Sequence, residues 1–161
     1  MKLYLMRHGA AEDKRKGTPS DFDRALTVRG RKRVREVGRA LRDNWVLPDI
    51  IVASPIVRAL QTAEIVAARL DPDEPVVVRR ELAPGGELLP LVGELLRSDL
   101  ESALLVSHEP GLSRLVSSLL GEDLWQSSFS KGMVVALRVS EDGRSKLLFA
   151  LDPKQLEPVH V

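Results

Sequence analysis

Cysteine is absent from the 161 residues. That removes disulfides, thiolate-ligated zinc and any cysteine nucleophile together. Aromatic residues make up only 4%, so a core must be assembled mainly from Leu, Val, Ile and Ala. No apolar stretch approaches the roughly 20 residues needed to cross a bilayer, and the N-terminus enters a strand-like run without the pattern of a secretory leader. The expectation is a soluble cytoplasmic protein with no membrane partner. Excess charge is missing too. Lys+Arg 24 against Asp+Glu 23 supplies no global drive toward nucleic acid, and no nucleic-acid partner is expected. Neither a P-loop nor a Gly-x-Ser-x-Gly elbow occurs. At 43% hydrophobic residues the chain is too apolar for a disordered protein, and its length fits one domain, residues 1–161, with a monomer as the default.

Histidine is also scarce, and its placement is informative. Of His8, His108 and His160, two follow apolar runs. Leu3-Tyr4-Leu5-Met6 leads into Arg7-His8-Gly9, and Ala103-Leu104-Leu105-Val106-Ser107 leads into His108-Glu109-Pro110-Gly111. A third run, Ile50-Ile51-Val52-Ala53, ends in Ser54-Pro55 with Arg58 one turn later. Continuous apolar runs read as strands buried on both faces. In open α/β sheets ligands bind just outside the carboxyl ends of such strands. Three strand ends therefore offer two imidazoles and two guanidinium groups, a pocket suited to a dianion.

The remainder alternates strand and helix. Ala10 to Arg24 is polar and reads as a loop over the pocket mouth. Thr27 is a plausible N-cap for a helix whose apolar face carries Val34, Val37, Ala40 and Leu41. Its other face, Arg29 to Arg42, is strongly basic and reads as a solvated side. Ile56, Leu60, Ala63, Val66, Ala67 and Leu70 mark a second helix, with Arg58 near its N-terminus, where an anion is favoured. Val76-Val77-Val78 is a short strand. Leu88 to Leu96 reads as a helix disturbed near Pro90 and Gly93, and Leu112 to Leu120 as another. Met133 to Val139 and Lys146 to Leu151 flank Asp142-Gly143, a hairpin signal. Residues 152–161, with Pro153 and Pro158, read as a loose tail. The pattern predicts a three-layer α/β/α fold with a mostly parallel central sheet and an antiparallel edge hairpin near the C-terminus.

The blocks Leu3 to Gly9, Ser54-Pro55 through Arg58 with Gln61-Thr62-Ala63, and Val106-Ser107-His108 occur in the order found in the histidine phosphatase (phosphoglycerate mutase-like) superfamily, which the chain resembles. Leu26-Thr27 followed by Gly30 is similar to that superfamily's helix start. Glu81-Leu82-Ala83-Pro84-Gly85-Gly86 and the short length resemble the SixA-type phosphohistidine phosphatases.

A phosphoryl group needs its equatorial oxygens held while a nucleophile attacks in line. Arginine forks suit that work, and Arg7 and Arg58 are the candidates. A histidine attacks only when neutral, and nearby guanidinium groups depress its pKa. Residue chemistry leaves His8 and His108 nearly equal as nucleophile. The resemblance implies that His8 becomes phosphorylated and that His108 stabilises the phosphate. It also implies a glutamate acid after the third strand, and Glu81 stands at a comparable place. No cofactor is expected. The possible metal ligands His8, His108, Glu81 and Glu109 lack paired ligand spacing and face two arginines, so no metal is expected either. The expected activity is a phosphatase working through phospho-His8, its partner a phosphohistidine-bearing signalling protein. The alternatives are a phosphatase for small phosphoesters using Glu81 as acid, and a non-catalytic phosphate-binding or scaffold protein.

Overall fold

The computed structural model describes residues 1–14, 20–121 and 125–160. Residues 15–19, in the loop expected over the pocket, lie outside the described residues, as do 122–124 and 161. The N-terminal apolar run forms β1, Lys2–Arg7. Alternation along it sends Tyr4 and Met6 to one face of the sheet and Leu3 and Leu5 to the other. Both faces are covered, which is why the run is continuous rather than alternating.

Strands β2 (Ile50–Ala53), β3 (Val77–Val78) and β4 (Ser102–Ser107) join β1 in parallel, and β5 (Val134–Val139), β6 (Ser145–Leu151) and β7 (Pro158–His160) add antiparallel, in the order β3-β2-β4-β1-β5-β6-β7. Helices α1 (Val28–Asp43) and α2 (Val57–Leu70) cover one face. Helices α3 (Leu88–Leu96) and α4 (Gly111–Leu120) cover the other. The three-layer α/β/α arrangement expected from the sequence is the one observed.

Two pairings position the site. β1 and β4 are neighbours with Arg7 opposite Ser107, and β2 lies beyond β4 with Ala53 opposite Val106. The residues that follow, His8, His108 and Ser54, therefore emerge side by side at one edge of the sheet. The chain leaves β1 for a helix on one face and β4 for a helix on the other, which opens the crevice between them.

Helix α1 is fitted tightly to this edge. Thr27 Oγ1 accepts the N–H of Gly30 at 2.9 Å, and its hydroxyl lies 3.4 Å from the carbonyl of Ala10. A Cβ on Gly30 would run into that same carbonyl. The Thr27-x-x-Gly30 spacing is therefore an N-cap and a close approach combined. Gln61 Oε1 of α2 accepts the N–H of Leu26 at 2.8 Å.

Two expectations are corrected. The tail is not loose. A turn closed by the N–H groups of Gln155 and Leu156 on the Asp152 carbonyl sends residues 158–160 back along β6 as β7. Pro158 takes the first position of this edge strand, where a missing N–H is tolerated, and the ring of His160 packs 5.8 Å from Phe149. Nor is α3 disturbed at Pro90, which falls in the first turn, where backbone N–H groups have no intrahelical acceptor. No described helix is long and apolar enough to cross a membrane.

Replacing Gly30 with Ala is expected to destabilise the fold by about 2 kcal/mol, because backbone must move to admit the methyl. Gly93→Ala, where only the flexible end of Arg97 comes near, is expected to stabilise by about 0.5–1 kcal/mol. Urea unfolding of the two variants checks both signs.

Candidate active site

His8 is buried and its protonation state follows from its partners. Nδ1 lies 2.7 Å from the carbonyl oxygen of Gly9. A carbonyl only accepts, so Nδ1 carries the proton and Nε2 carries the lone pair. Arg58 Nε–H points at Nε2 from 3.3 Å. The His8 pKa is pushed down to about 4, first by burial and then by the Arg58, Arg7 and Lys131 charges, with the Gly9 hydrogen bond opposing. The sequence expectation credited the arginines; the larger cause is desolvation.

His108 stands beside it, the ring centroids 5.1 Å apart. Its Nε2 meets Ser54 Oγ at 2.8 Å, and Ser54 is completely buried. Burial, then the neighbouring His8, Arg58 and Arg7, push the His108 pKa down to about 3, against an opposing pull from Asp21. Both rings are thus neutral near pH 7.

Arg58, in the first turn of α2, is 5% exposed. Its Nη1 donates to the carbonyl of Asp21 at 2.8 Å and its Nη2 to Asp21 Oδ2 at 3.2 Å. Arg24 holds the other carboxylate oxygen of Asp21 at 2.7 Å. An internal anion therefore sits on the fork expected to take phosphate. Arg7 donates from Nη1 to the carbonyl of Phe129 at 2.6 Å. Arg7 Nε and His108 Nδ1 are buried without a hydrogen-bond partner among the described residues.

Thr62 fixes the two halves to each other. Its Oγ1 accepts the N–H of Gly9 at 3.0 Å and donates to the Arg58 carbonyl at 2.7 Å. Sequence reasoning quoted Ser54 and Thr62 only as motif letters and gave them no role. It places Asp21 only within the polar loop over the pocket mouth, because the partner Arg58 is distant along the chain.

Glu81 is differently placed. It lies in a 3-10 turn, Arg80–Leu82, with Arg79 on both carboxylate oxygens at 2.6 and 3.2 Å and Glu94 sharing that arginine. Those hydrogen bonds hold its carboxyl below the usual range. None of its hydrogen bonds among the described residues reaches Arg7, His8, Arg58 or His108. Glu109, another possible ligand, is occupied by Ser113 and Phe129. Among the described residues no three acidic or histidine side chains converge as a metal set. A groove of about 680 Å³ opens beside His108, walled by Pro84, Leu88, Pro90, Arg114 and Leu115.

Two buried neutral imidazoles stand beside the buried Arg58 and the half-buried Arg7, a set of groups suited to an oxyanion. Residues 3–83, half of the chain, match the model of the histidine phosphatase superfamily (branch 1). The chain belongs to the histidine phosphatase superfamily. An uncharacterized protein of Picosynechococcus sp. is 32% identical over 98% of this chain and all of its own length. The phosphohistidine phosphatase SixA of Escherichia coli K12 is 29% identical over 98% of this chain and 97% of its own. The solved structure of the protein histidine phosphatase SixA complexed with tungstate superposes with a TM-score of 0.88 at 28% identity, over 98% of this chain and 100% of that one. Within the superfamily this histidine phosphatase is a SixA homologue in both sequence and structure.

The folded-state pKa values of His8 and His108 lie below the ordinary value of about 6.5. Their neutral forms are favoured by folding, so the associated stability is whole above about pH 6.5 and drains as pH falls toward about 4 for His8 and about 3 for His108. NMR titration should show no protonation of either ring at pH 6, and urea midpoints should fall between pH 7 and 4.5. Thr62→Val keeps the side-chain shape but leaves the Gly9 N–H without its acceptor. It is expected to cost about 1–3 kcal/mol in urea unfolding.

Proposed function

We propose that this histidine phosphatase hydrolyses phosphohistidine on a protein, through a phosphorylated His8 and without a metal. The observation that carries the reading is the state of His8, with Nδ1–H tied to Gly9 and the Nε2 lone pair facing Arg58. Nε2 attacks phosphorus in line, and the substrate imidazole departs with the electron pair of the broken P–N bond. Arg7 and Arg58 hold the equatorial oxygens. On this reading the Ser54 hydroxyl, 2.8 Å away, donates to His108 Nε2, and the proton of His108 stands on Nδ1 for a phosphate oxygen. Water next attacks phospho-His8, giving inorganic phosphate and restoring the neutral ring.

The leaving group decides between substrates. An alkoxide needs a proton as it departs, and therefore a good acid. Glu81, the residue at the place of such an acid, is held ionised by Arg79. A protonated phosphohistidine releases a neutral imidazole and tolerates that arrangement. The groove beside His108 gives a protein-borne phosphoryl group room to approach. The SixA relatives support the same substrate class. The surroundings expected of such a partner are cytoplasmic.

The test compares a phosphohistidine-bearing protein with a panel of sugar phosphates and p-nitrophenyl phosphate, all in EDTA. The protein substrate should turn over far faster, phosphate should be trapped on His8, and His8→Ala should lose about 10³-fold or more. Glu81→Gln should stay within about twofold on the protein substrate. Preference for a sugar phosphate with a loss of ~10²-fold in Glu81→Gln would establish the small-phosphoester reading instead. Phosphate binding without turnover of any substrate would point to a binding module.

A further inference from the structure

Arg7 is fixed by a carbonyl that belongs to no helix or strand. Its Nη1 donates to the carbonyl of Phe129 at 2.6 Å, in the stretch 125–133 that leads into β5. What holds that carbonyl in place is a carboxylate. Glu109 Oε1 accepts the N–H of Phe129 at 2.6 Å and the hydroxyl of Ser113 at 2.6 Å, while Oε2 accepts the N–H of Ser113 at 3.1 Å. The Phe129 ring is 1% exposed and pairs with Trp125 at 5.6 Å. The segment is thus anchored at its ring and steered at its backbone. Glu109 directly follows His108, so one dipeptide carries a site imidazole and also sets the backbone unit that aims the arginine opposite.

We infer that Glu109 is a positioning residue for phosphate binding, acting on Arg7 through the backbone of Phe129, whose N–H it holds on one side of the Cα while the C=O on the other side receives Arg7. The inference rests on the reading of Arg7 as a phosphate ligand. The chemistry of the link is specific. All three groups on Glu109 are donors, which suits a side chain that accepts at both of its oxygens. Charge-assisted bonds of this length are stronger than neutral ones. Arg7 has only one of its five N–H groups in a hydrogen bond to protein among the described residues, and its Nε is buried without a partner. Its aim therefore depends heavily on the Phe129 carbonyl. Glu109 also bonds the N–H of Ser113 in the first turn of α4, and a purely structural role would end there.

The test separates aim from support. Glu109→Gln replaces one acceptor oxygen by a donor, and Ser113→Ala removes only the hydroxyl. Inorganic phosphate binding is measured by calorimetry on the full chain, with thermal melting alongside. Glu109→Gln should weaken phosphate binding about tenfold, Ser113→Ala less than threefold. In an Arg7→Ala background the further loss from Glu109→Gln should vanish, because the group it acts through is gone. Independent, multiplicative losses in the double variant would overturn the inference, as would wild-type phosphate affinity in a folded Glu109→Gln. If Arg7→Ala alone binds phosphate normally, the reading of Arg7 as a ligand fails, a result distinct from either. Should Glu109→Gln fold poorly, Phe129→Leu, which loosens the ring anchor while keeping the backbone unit, must show the same dependence on Arg7.

Discussion

The bond from His8 Nδ1 to the Gly9 carbonyl is 2.7 Å long, and it holds only if the Gly9 peptide cannot turn. Three contacts, from two helices, prevent that. Thr62 of α2 takes the Gly9 N–H. Val34 of α1 stands where a Cβ on Gly9 would lie, 2.6 Å away. The N-terminus of α1 is itself pressed against Ala10 through Thr27 and Gly30. The tautomer of one imidazole is in this sense a property of how two helices seat on the sheet. The short sequence blocks that mark the family fall on the seating points, at Thr27, Gly30, Gln61 and Thr62, as well as on the side chains of the pocket.

Much of this architecture is legible in the chain because its causes are local. β1, β2 and β4 announce themselves as unbroken apolar runs, since each is covered on both faces. Thr27 announces α1, since a hydroxyl three residues before a free N–H is a cap. β7 was misread because its cause is remote. Two prolines and a polar turn look like a frayed end until β6 offers an edge to pair with. The pocket divides in the same way. Strand-end placement suffices to suggest that His8, Arg58 and His108 meet, as they do. Asp21 and Glu109 were not foreseen in their observed settings, since a carboxylate reveals nothing of a partner across the fold. Glu109 is weighed in the sequence only as a possible ligand for a metal that is not expected, and in the fold its oxygens meet N–H and O–H donors. Glu81 looked like an acid, and it is the neighbouring Arg79, two positions earlier, that holds it ionised.

Burying two imidazoles and a guanidinium is unfavourable for a small fold, and the surroundings show how the expense is contained. The rings stay uncharged, which avoids the larger penalty of an unsolvated cation. Arg58 keeps its charge and finds three acceptors, one of them ionised. The arginine and the histidine thereby stabilise each other's chemically useful form. A protonated His8 would repel Arg58, and a displaced Arg58 would relieve that pressure.

The carboxylate on Arg58 changes what affinity means at this pocket. If Arg58 takes phosphate as proposed, an arriving dianion does not meet a naked cation but exchanges with an anion the chain already owns. The free energy of capture is then the difference between two ion pairs and not the whole of one. The same subtraction applies in reverse when the product departs, for the vacated guanidinium is resolvated by its own protein. A pocket built this way holds its ligand modestly by construction, and it clears itself by swapping partners.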